Sequence, residues 1–333
     1  MDTLGVFVGL DYHDESVQVC VVDREGRMLA NECCRNDQRA IVDCVHRYGR
    51  QVQAAVESCT GAANLADELV AAGWQVNLAH PGFVRRMKQN PDKTDWHDAH
   101  ILADLVRIGY LPRVWLAPES VRELRQLVRY RQQLADSRRT AKLRIRALLR
   151  QQRLRPPGGI NAWTRRWRKW LLEEAALSVQ GRWVVEQHLW ELASLAERLR
   201  EVETRLQSLC ENDPEVIKLR AQAGIGPVTA WTLQAEIGRF DRFRTGKQLA
   251  RFCGLSPRNA SSGQKQADAG LIKAANPQLR TVLIEAGHRL ARYVPRWRQL
   301  ALRLRSAGKP GSVVAAAVAN RYVRALYHQM LAA

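Results

Sequence analysis

The sequence predicts three parts in a row: an α/β domain with a mixed sheet over 1–117, a basic helical or coiled-coil region over 118–211, and a mostly α-helical domain over 212–333. Three observations predict this. Strand-period and helix-period runs alternate through residues 5–79. Leucines near helical spacing mark residues 118–155. The charge also changes sign, since residues 1–110 hold 11 Lys and Arg against 16 Asp and Glu, whereas residues 111–333 hold 41 against 17. At 333 residues the chain is long enough for two or three domains, each with its own core.

Gly5 to Asp11 is a short apolar run that ends on a carboxylate. Ser16 to Asp23 alternates as a strand, and Glu25-Gly26 reads as the hairpin turn into a third strand from Arg27 to Glu32. Asn36 or Asp37 can cap a helix running to about Tyr48. Gln53 to Glu57 is a buried-looking strand that again ends on a carboxylate. Gly61 leads into a helix from about Ala62 to Ala72, Gln75 to Ala79 forms another strand, and a helix-like run follows through Ile108. The order is β-β-β-α-β-α-β-α. Strands joined by helices run parallel with right-handed crossovers, and the pattern fits the ribonuclease H architecture.

Lys93-Thr94-Asp95-Trp96-His97-Asp98 opens the last of these helices, with Asp95 and Asp98 three apart and on nearly the same face. Acids in a first turn are also ordinary helix-end decoration, because the peptide dipoles favour them there. The other acids change the weighting. Asp11 and Glu57 end their strands at the sheet edge where open α/β folds carry their sites. Four carboxylates can hold hard divalent cations such as Mg²⁺ (or Mn²⁺). Two such ions about 4 Å apart would polarise a phosphodiester and stabilise both its attacking and leaving oxygens.

Beyond Pro112 the composition turns basic. Residues 118–155 contain 12 Lys and Arg against 3 Asp and Glu, and Leu124, Leu127, Leu134, Leu143 and Leu148 mark one apolar seam. The cationic side, with Arg138, Arg139, Lys142 and Arg146, predicts nucleic-acid contact, because like charges along one helix repel without a counter-polyanion. Pro156-Pro-Gly-Gly159 ends the helix. Two more helices are expected over about 161–177 and 183–211. Trp163, Trp167 and Trp170 interleave with Arg165, Arg166, Arg168 and Lys169, a pattern that suits base stacking with phosphate binding and equally suits packing against a helix. Ala223-Gly224-Ile225-Gly226-Pro227 is similar to a helix-hairpin-helix turn, whose backbone N–H groups at Gly224 and Gly226 can take a DNA phosphate. Leu279 to Leu304 and Ser312 to Leu331 read as an amphipathic, core-forming helical pair joined by Gly308-Lys-Pro-Gly311, which can also support self-association.

Gly9-Leu10-Asp11, Val56-Glu57-Ser58-Cys59-Thr60-Gly61, Lys93-Thr94-Asp95-x-x-Asp98-Ala99 and Gly109-Tyr-Leu-Pro112 resemble the DEDD recombinases of bacterial insertion sequences, the family numbered 110 that includes the Piv-type DNA invertases. The resemblance continues through Leu249–Pro257, Ser261-Ser262-Gly263, Lys273 and Asn276–Arg280. It implies a RuvC-like first domain with Asp11, Glu57, Asp95 and Asp98 as its tetrad. It implies a terminal transposase domain, with Ser262 as the nucleophile that links covalently to DNA; Ser261 is the neighbouring alternative. Arg258, Lys265 and Lys273 are candidates to offset phosphate charge. It further implies double-stranded target and donor DNA as partners, a structured noncoding guide RNA, and a working homodimer or homotetramer.

Composition narrows the remaining classes. Seven cysteines without a C-x-x-C, and eight histidines without H-E-x-x-H, predict neither a disulfide framework nor a zinc site, and the histidines read as ordinary surface or core residues. No apolar run of membrane-spanning length occurs, and the start lacks a basic signal-like region, so a cytoplasmic protein is expected, nucleoid-associated when on DNA. Two rival functions stand beside recombination. One is a metal-dependent junction resolvase or nuclease without serine chemistry; the other is a non-catalytic nucleic-acid-binding protein.

Overall fold

The computed structural model describes residues 5–87, 94–259, 268–273 and 275–332. The chain divides into two compact units, 1–117 and 118–333.

The first unit is built on a mixed six-stranded sheet of order β3-β2-β1-β4-β5-β6: β1 (Gly5–Tyr12), β2 (Ser16–Val22), β3 (Met28–Arg35), β4 (Gln51–Glu57), β5 (Gln75–Ala79) and β6 (Arg113–Val114). The first three pair antiparallel, as their hairpin spacing predicts, and Gly26 takes the left-handed φ of +85° that the turn demands. β4 lies parallel to β1 and β5 parallel to β4, whereas β6 closes the edge antiparallel. Alternation along β1 sends Val6, Val8 and Leu10 to one face. There they meet Ile41 of α1 (Gln38–His46) and Leu65 and Leu69 of α2 (Ala62–Ala71). Of the two possible caps for α1, Asp37 serves, its carboxylate accepting from Ala40 N at 3.1 Å. The opposite face is covered by α4 (Asp95–Arg107), whose Leu102 packs with Ala55 and Ala79 and whose Ala99 and Ala103 pack with Cys20 and Val22. A short α3 (Pro81–Met87) and the two-residue β6 add to the expected order; a Pro-Gly start and two residues of strand leave little periodic signal.

Among its described residues the second unit is helical apart from one two-stranded ribbon. α5 (Glu119–Gln151) and α7 (Val179–Cys210) run antiparallel: Tyr130 meets Arg198, Arg131 meets Glu203 at 2.7 Å, and Gln152 meets Ser178 at 3.0 Å. The apolar seam of α5 keeps Leu124 and Leu134, with Leu127 and Leu148 partly buried beside it, and differs from the expected leucine row at Leu143. Leu124, Val128, Leu134, Ala141, Ile145 and Leu149 are buried, while Leu143 is exposed, because two residues past Ala141 is the other side of a helix. Between the long helices, the single helix expected over 161–177 is a five-residue α6 (Arg165–Lys169) that widens into a π-helical turn (Trp170–Glu174). There follow α8 (Pro214–Arg220), α9 (Pro227–Ile237), α10 (Gly246–Phe252), β7 (Pro257–Asn259), β8 (Asp268–Leu271), α11 (Pro277–Tyr293), α12 (Pro295–Ser306) and α13 (Gly311–Leu331). Leu124, Leu195 and Leu199 share one core with Leu233, Leu279 and Val318, so α5 and α7 are packed into the same body as the C-terminal helices. The helix expected to run unbroken from Leu279 to Leu304 divides at Val294. Pro295 cannot donate into the preceding turn and holds Val294 extended, at φ −106° and ψ 117°, so α12 restarts with the proline in its first turn.

Candidate active site

Asp11 is the last residue but one of β1 and Glu57 the last of the parallel β4; Leu10 lies opposite Val56, which leaves the two acids side by side at the carboxyl edge. The Asp11 side chain is half-buried in the sheet edge. Asp95 and Asp98 reach the same edge from α4. Thr94 caps that helix, its Oγ1 accepting from His97 N at 3.3 Å, so both acids sit in the first turn; Asp98 is buried and Asp95 exposed. What brings the helix close is Gly9. A Cβ on Gly9 would stand 1.8 Å from the Ala99 carbonyl oxygen and 2.5 Å from Ala103 N, so only a glycine lets the α4 backbone lie directly on β1. The amide of Asn31 on β3 donates to Trp96 O at 2.9 Å and ties the first turn of α4 to the sheet.

The four acids share one electrostatic field. Burial holds the Asp11 carboxyl above its ordinary value; His13 opposes that shift, and Asp98, Asp95 and Glu57 each add to it. His13 Nε2 lies 3.5 Å from Asp11 Oδ2 and 3.2 Å from Asp95 Oδ2. Asp11, His13 and Asp95 place one ligand atom each within 4.8 Å of one another. A divalent cation fits this set: oxygen donors dominate, and a positive charge relieves the repulsion that burial and three neighbouring carboxylates impose on Asp11. His13 is the residue that sequence reasoning misses, because composition alone reads it as an ordinary histidine. A signal existed in its spacing, since His13 follows Asp11 by two residues, just past the end of β1.

The other expected residues are spread through the second unit. Ser262, Ser261 and Lys265 lie outside the described residues, as does Lys93 of the first unit; the two serines and Lys265 belong to the connection between β7 and β8, which pair antiparallel with Asn259 opposite Asp268. Arg258 on β7 and Lys273 beyond β8 are exposed. On α5, Arg139 and Arg146 are exposed and Arg138 and Lys142 half-buried; Arg165 and Arg166 on α6 are exposed. The tryptophans are packing residues. Trp167 and Trp170 are buried with Ile145, Leu149, Leu171 and Val185, so neither ring is open to a base. The Trp163 ring is tilted against Trp167 with centroids 4.6 Å apart, and the Lys142 ammonium and Arg146 guanidinium lie 4.9 and 5.6 Å from the Trp163 centroid. Burial lowers the Lys142 pKa, with Arg138 and Arg146 adding to the effect. At the glycine turn, Gly224 has φ +82° and its carbonyl accepts from Arg289 at 3.3 Å, while Gly226 precedes the Pro227 that opens α9.

Among the described residues no helix is long and apolar enough to cross a membrane. Residues 8–153 match a transposase family model of the DEDD type, and residues 218–301 match the model described as "Transposase IS116/IS110/IS902 family". A "Probable family 20 transposase" of Pseudomonas aeruginosa is 30% identical over 329 residues, covering 96% of this chain and 95% of the relative. The transposase for insertion sequence element IS1111A of Coxiella burnetii is 25% identical over 288 residues, 86% of this chain and 78% of the relative. The transposase for insertion sequence element IS1328 of Yersinia enterocolitica is 28% identical over 234 residues, 69% and 68%. With an acidic edge of the expected four carboxylates and a transposase 30% identical over 96% of its length, the chain belongs to the IS110/IS116/IS902 family of insertion-sequence transposases.

Proposed function

We propose that this protein cuts and rejoins DNA strands through a composite site of four carboxylates and a serine. The observation that carries the reading is the meeting of Asp11, Glu57, Asp95 and Asp98 at one sheet edge, in one field. The strand order, with α1 and α2 on one face and α4 on the other, supports reading the first unit as a RuvC-like domain of ribonuclease H fold. In this reading residues 1–117 supply the acids, the basic helices of 118–211 bind phosphate, and the transposase domain over 212–333 supplies Ser262.

Asp11, Glu57, Asp95 and Asp98 would hold Mg²⁺ or Mn²⁺, which when bound withdraws electron density from the scissile phosphate and offsets its charge. Ser262 Oγ gives up its proton and bonds to phosphorus; the departing deoxyribose oxygen takes a proton as its bond breaks. The phosphoserine ester keeps the bond energy, so the free hydroxyl of another strand can attack it, rejoin the DNA and restore the serine. A hydrolytic nuclease loses that energy to water. Two duplexes require several such sites, which points to a homodimer or homotetramer working on target and donor DNA. A structured noncoding RNA as guide, and a cytoplasmic, nucleoid-associated location, complete the reading.

Trapping tests it. Incubation with junction DNA, followed by denaturation, should leave DNA attached to the wild-type protein and to Ser261→Ala, with no attachment in Ser262→Ala. DNA hydrolysis by Ser262→Ala at the wild-type rate would assign a metal-dependent nuclease instead.

A further inference from the structure

Residues 286–333 contain eight Arg and one Lys and no Asp or Glu. Core packing decides where those cations point. α11 buries Leu283, Ala286, Gly287 and Leu290, with Gly287 pressed so closely on α13 that a Cβ would meet the Ala315 carbonyl at 2.6 Å. α12 buries Trp297, Leu300 and Ala301. Arg289 and Arg292 on α11 and Arg298 and Arg305 on α12 are therefore exposed. The corner at Val294–Pro295 folds the two helices into a cleft of about 730 Å³ lined by these four arginines, with Tyr293 at the bend. Its lining includes no carboxylate. The Tyr293 ring is 68% exposed, and the Arg292 guanidinium lies 5.2 Å from its centroid.

We infer that this cleft binds an unpaired stretch of nucleic acid, its phosphates on Arg289, Arg292, Arg298 and Arg305 and a base on the ring of Tyr293. Guanidinium forks match phosphate oxygens two at a time. An open aromatic ring among them offers a base face something to stack on, which a fully paired duplex does not present. The opposite side of α12 is the internal contrast. Arg296 and Arg303 repeat the seven-residue spacing of Arg298 and Arg305 there, but the ring between them, Trp297, is only 7% exposed. One side has charge with a platform; the other has charge alone. The inference rests on the nucleic-acid partner of a transposase and is independent of Ser262 chemistry.

Fluorescence anisotropy on the full-length chain in metal-free buffer reads it without cleavage. The probes are a mixed-sequence single-stranded DNA, the same strand as RNA, and the matching duplex. Tyr293→Ala should weaken single-strand binding about tenfold with an unchanged salt slope, as loss of a stacking platform does. Arg298→Ala with Arg305→Ala should reduce that slope by about 1.4. Arg303→Ala, the same charge on the other side, should cost less than Arg298→Ala. Tyr293-dependent binding of either strand supports the cleft, and the tighter of the two names its source. Single-strand binding untouched by Tyr293→Ala, equal losses for duplex and single strand, or equal effects of Arg303→Ala and Arg298→Ala would each overturn it. Thermal melts of every variant confirm that the fold is intact.

Discussion

Two groups of carboxylates, one in each unit, are built on opposite principles. Glu236 on α9 is buried, yet it is fully answered: Arg129 grips it with two guanidinium nitrogens at 2.9 and 3.1 Å, Arg125 stands at 3.7 Å, and the Asn276 amide donates at 2.7 Å. That acid ties α5 to α9 and to the start of α11, and it asks nothing of solvent. At the edge of the first sheet, four carboxylates crowd together with one imidazole between two of them. A neutralised acid is architecture. The acid cluster carries a raised Asp11 pKa that His13 only partly opposes, and the proposed function assigns the remainder to an incoming cation.

The comparison breaks most decisively at Asp11 and Asp98. Asp11→Asn or Asp98→Asn should lower strand joining by on the order of a thousandfold, about 4 kcal/mol of transition-state stabilisation, measured as recombinant product in an Mg²⁺-containing assay. The fold should not suffer. Since the Asp11 carboxyl is held above its ordinary value in the folded chain, its ionised form opposes folding once the pH exceeds that raised value. In metal-free buffer Asp11→Asn should therefore melt higher than wild type at neutral pH. The gap should close as the pH falls and the wild-type carboxyl takes up its proton. A lower melting temperature at neutral pH would mean that the cluster is structural after all.

Glu236→Ala is the mirror experiment. Removing the acid leaves the Arg125 guanidinium, already lowered in pKa by burial, with its bond to Ala235 O but no carboxylate; about 3 kcal/mol of stability should go, read as a shifted urea midpoint. Metal-dependent stabilisation of the first unit should persist. Below this in size, Thr94→Ala removes the cap that starts α4 and should cost about 1 kcal/mol. Thr94→Ser should restore it.

How much of this was legible in advance follows from range. β1 and β4 announce themselves as short apolar runs that close on an acid, so Asp11 and Glu57 could be paired from the sequence and the crossover rule. Thr94 to Asp98 is a local start signal, and the structure places that turn on the sheet edge. The Glu236 network could not be read, because Arg129 is 107 residues away and no local pattern links the two. The tryptophans of 163–170 carried a true ambiguity: aromatic–basic interleaving looks the same whether the rings face a base or a core. Only the third dimension shows Trp167 and Trp170 facing Ile145 and Leu149. Leu143 was assigned to the seam by residue type, where helical phase puts it outside. The break at Pro295 was available from the rule that proline ends a helix.

His13 gives the smallest and sharpest test, because among the described residues it is the cation-capable group that lies within 3.5 Å of both Asp11 and Asp95. Two roles are open to an imidazole in that place, and they move metal-induced stabilisation in opposite directions. As a resident counter-charge it would compete with an incoming cation; as a ligand it would help to hold one. Its side chain is 47% exposed and that of Asp95 is 54% exposed, so solvent screens the pair and its own worth is roughly 0.5 kcal/mol. The opposition of His13 to the raised Asp11 pKa favours the counter-charge role. His13→Gln should then melt slightly lower than wild type without metal and gain more from added Mg²⁺, bringing the two proteins together at saturation. A smaller gain, above all with Mn²⁺, would make the imidazole a ligand, and the edge would then be a mixed nitrogen–oxygen site rather than an all-carboxylate one.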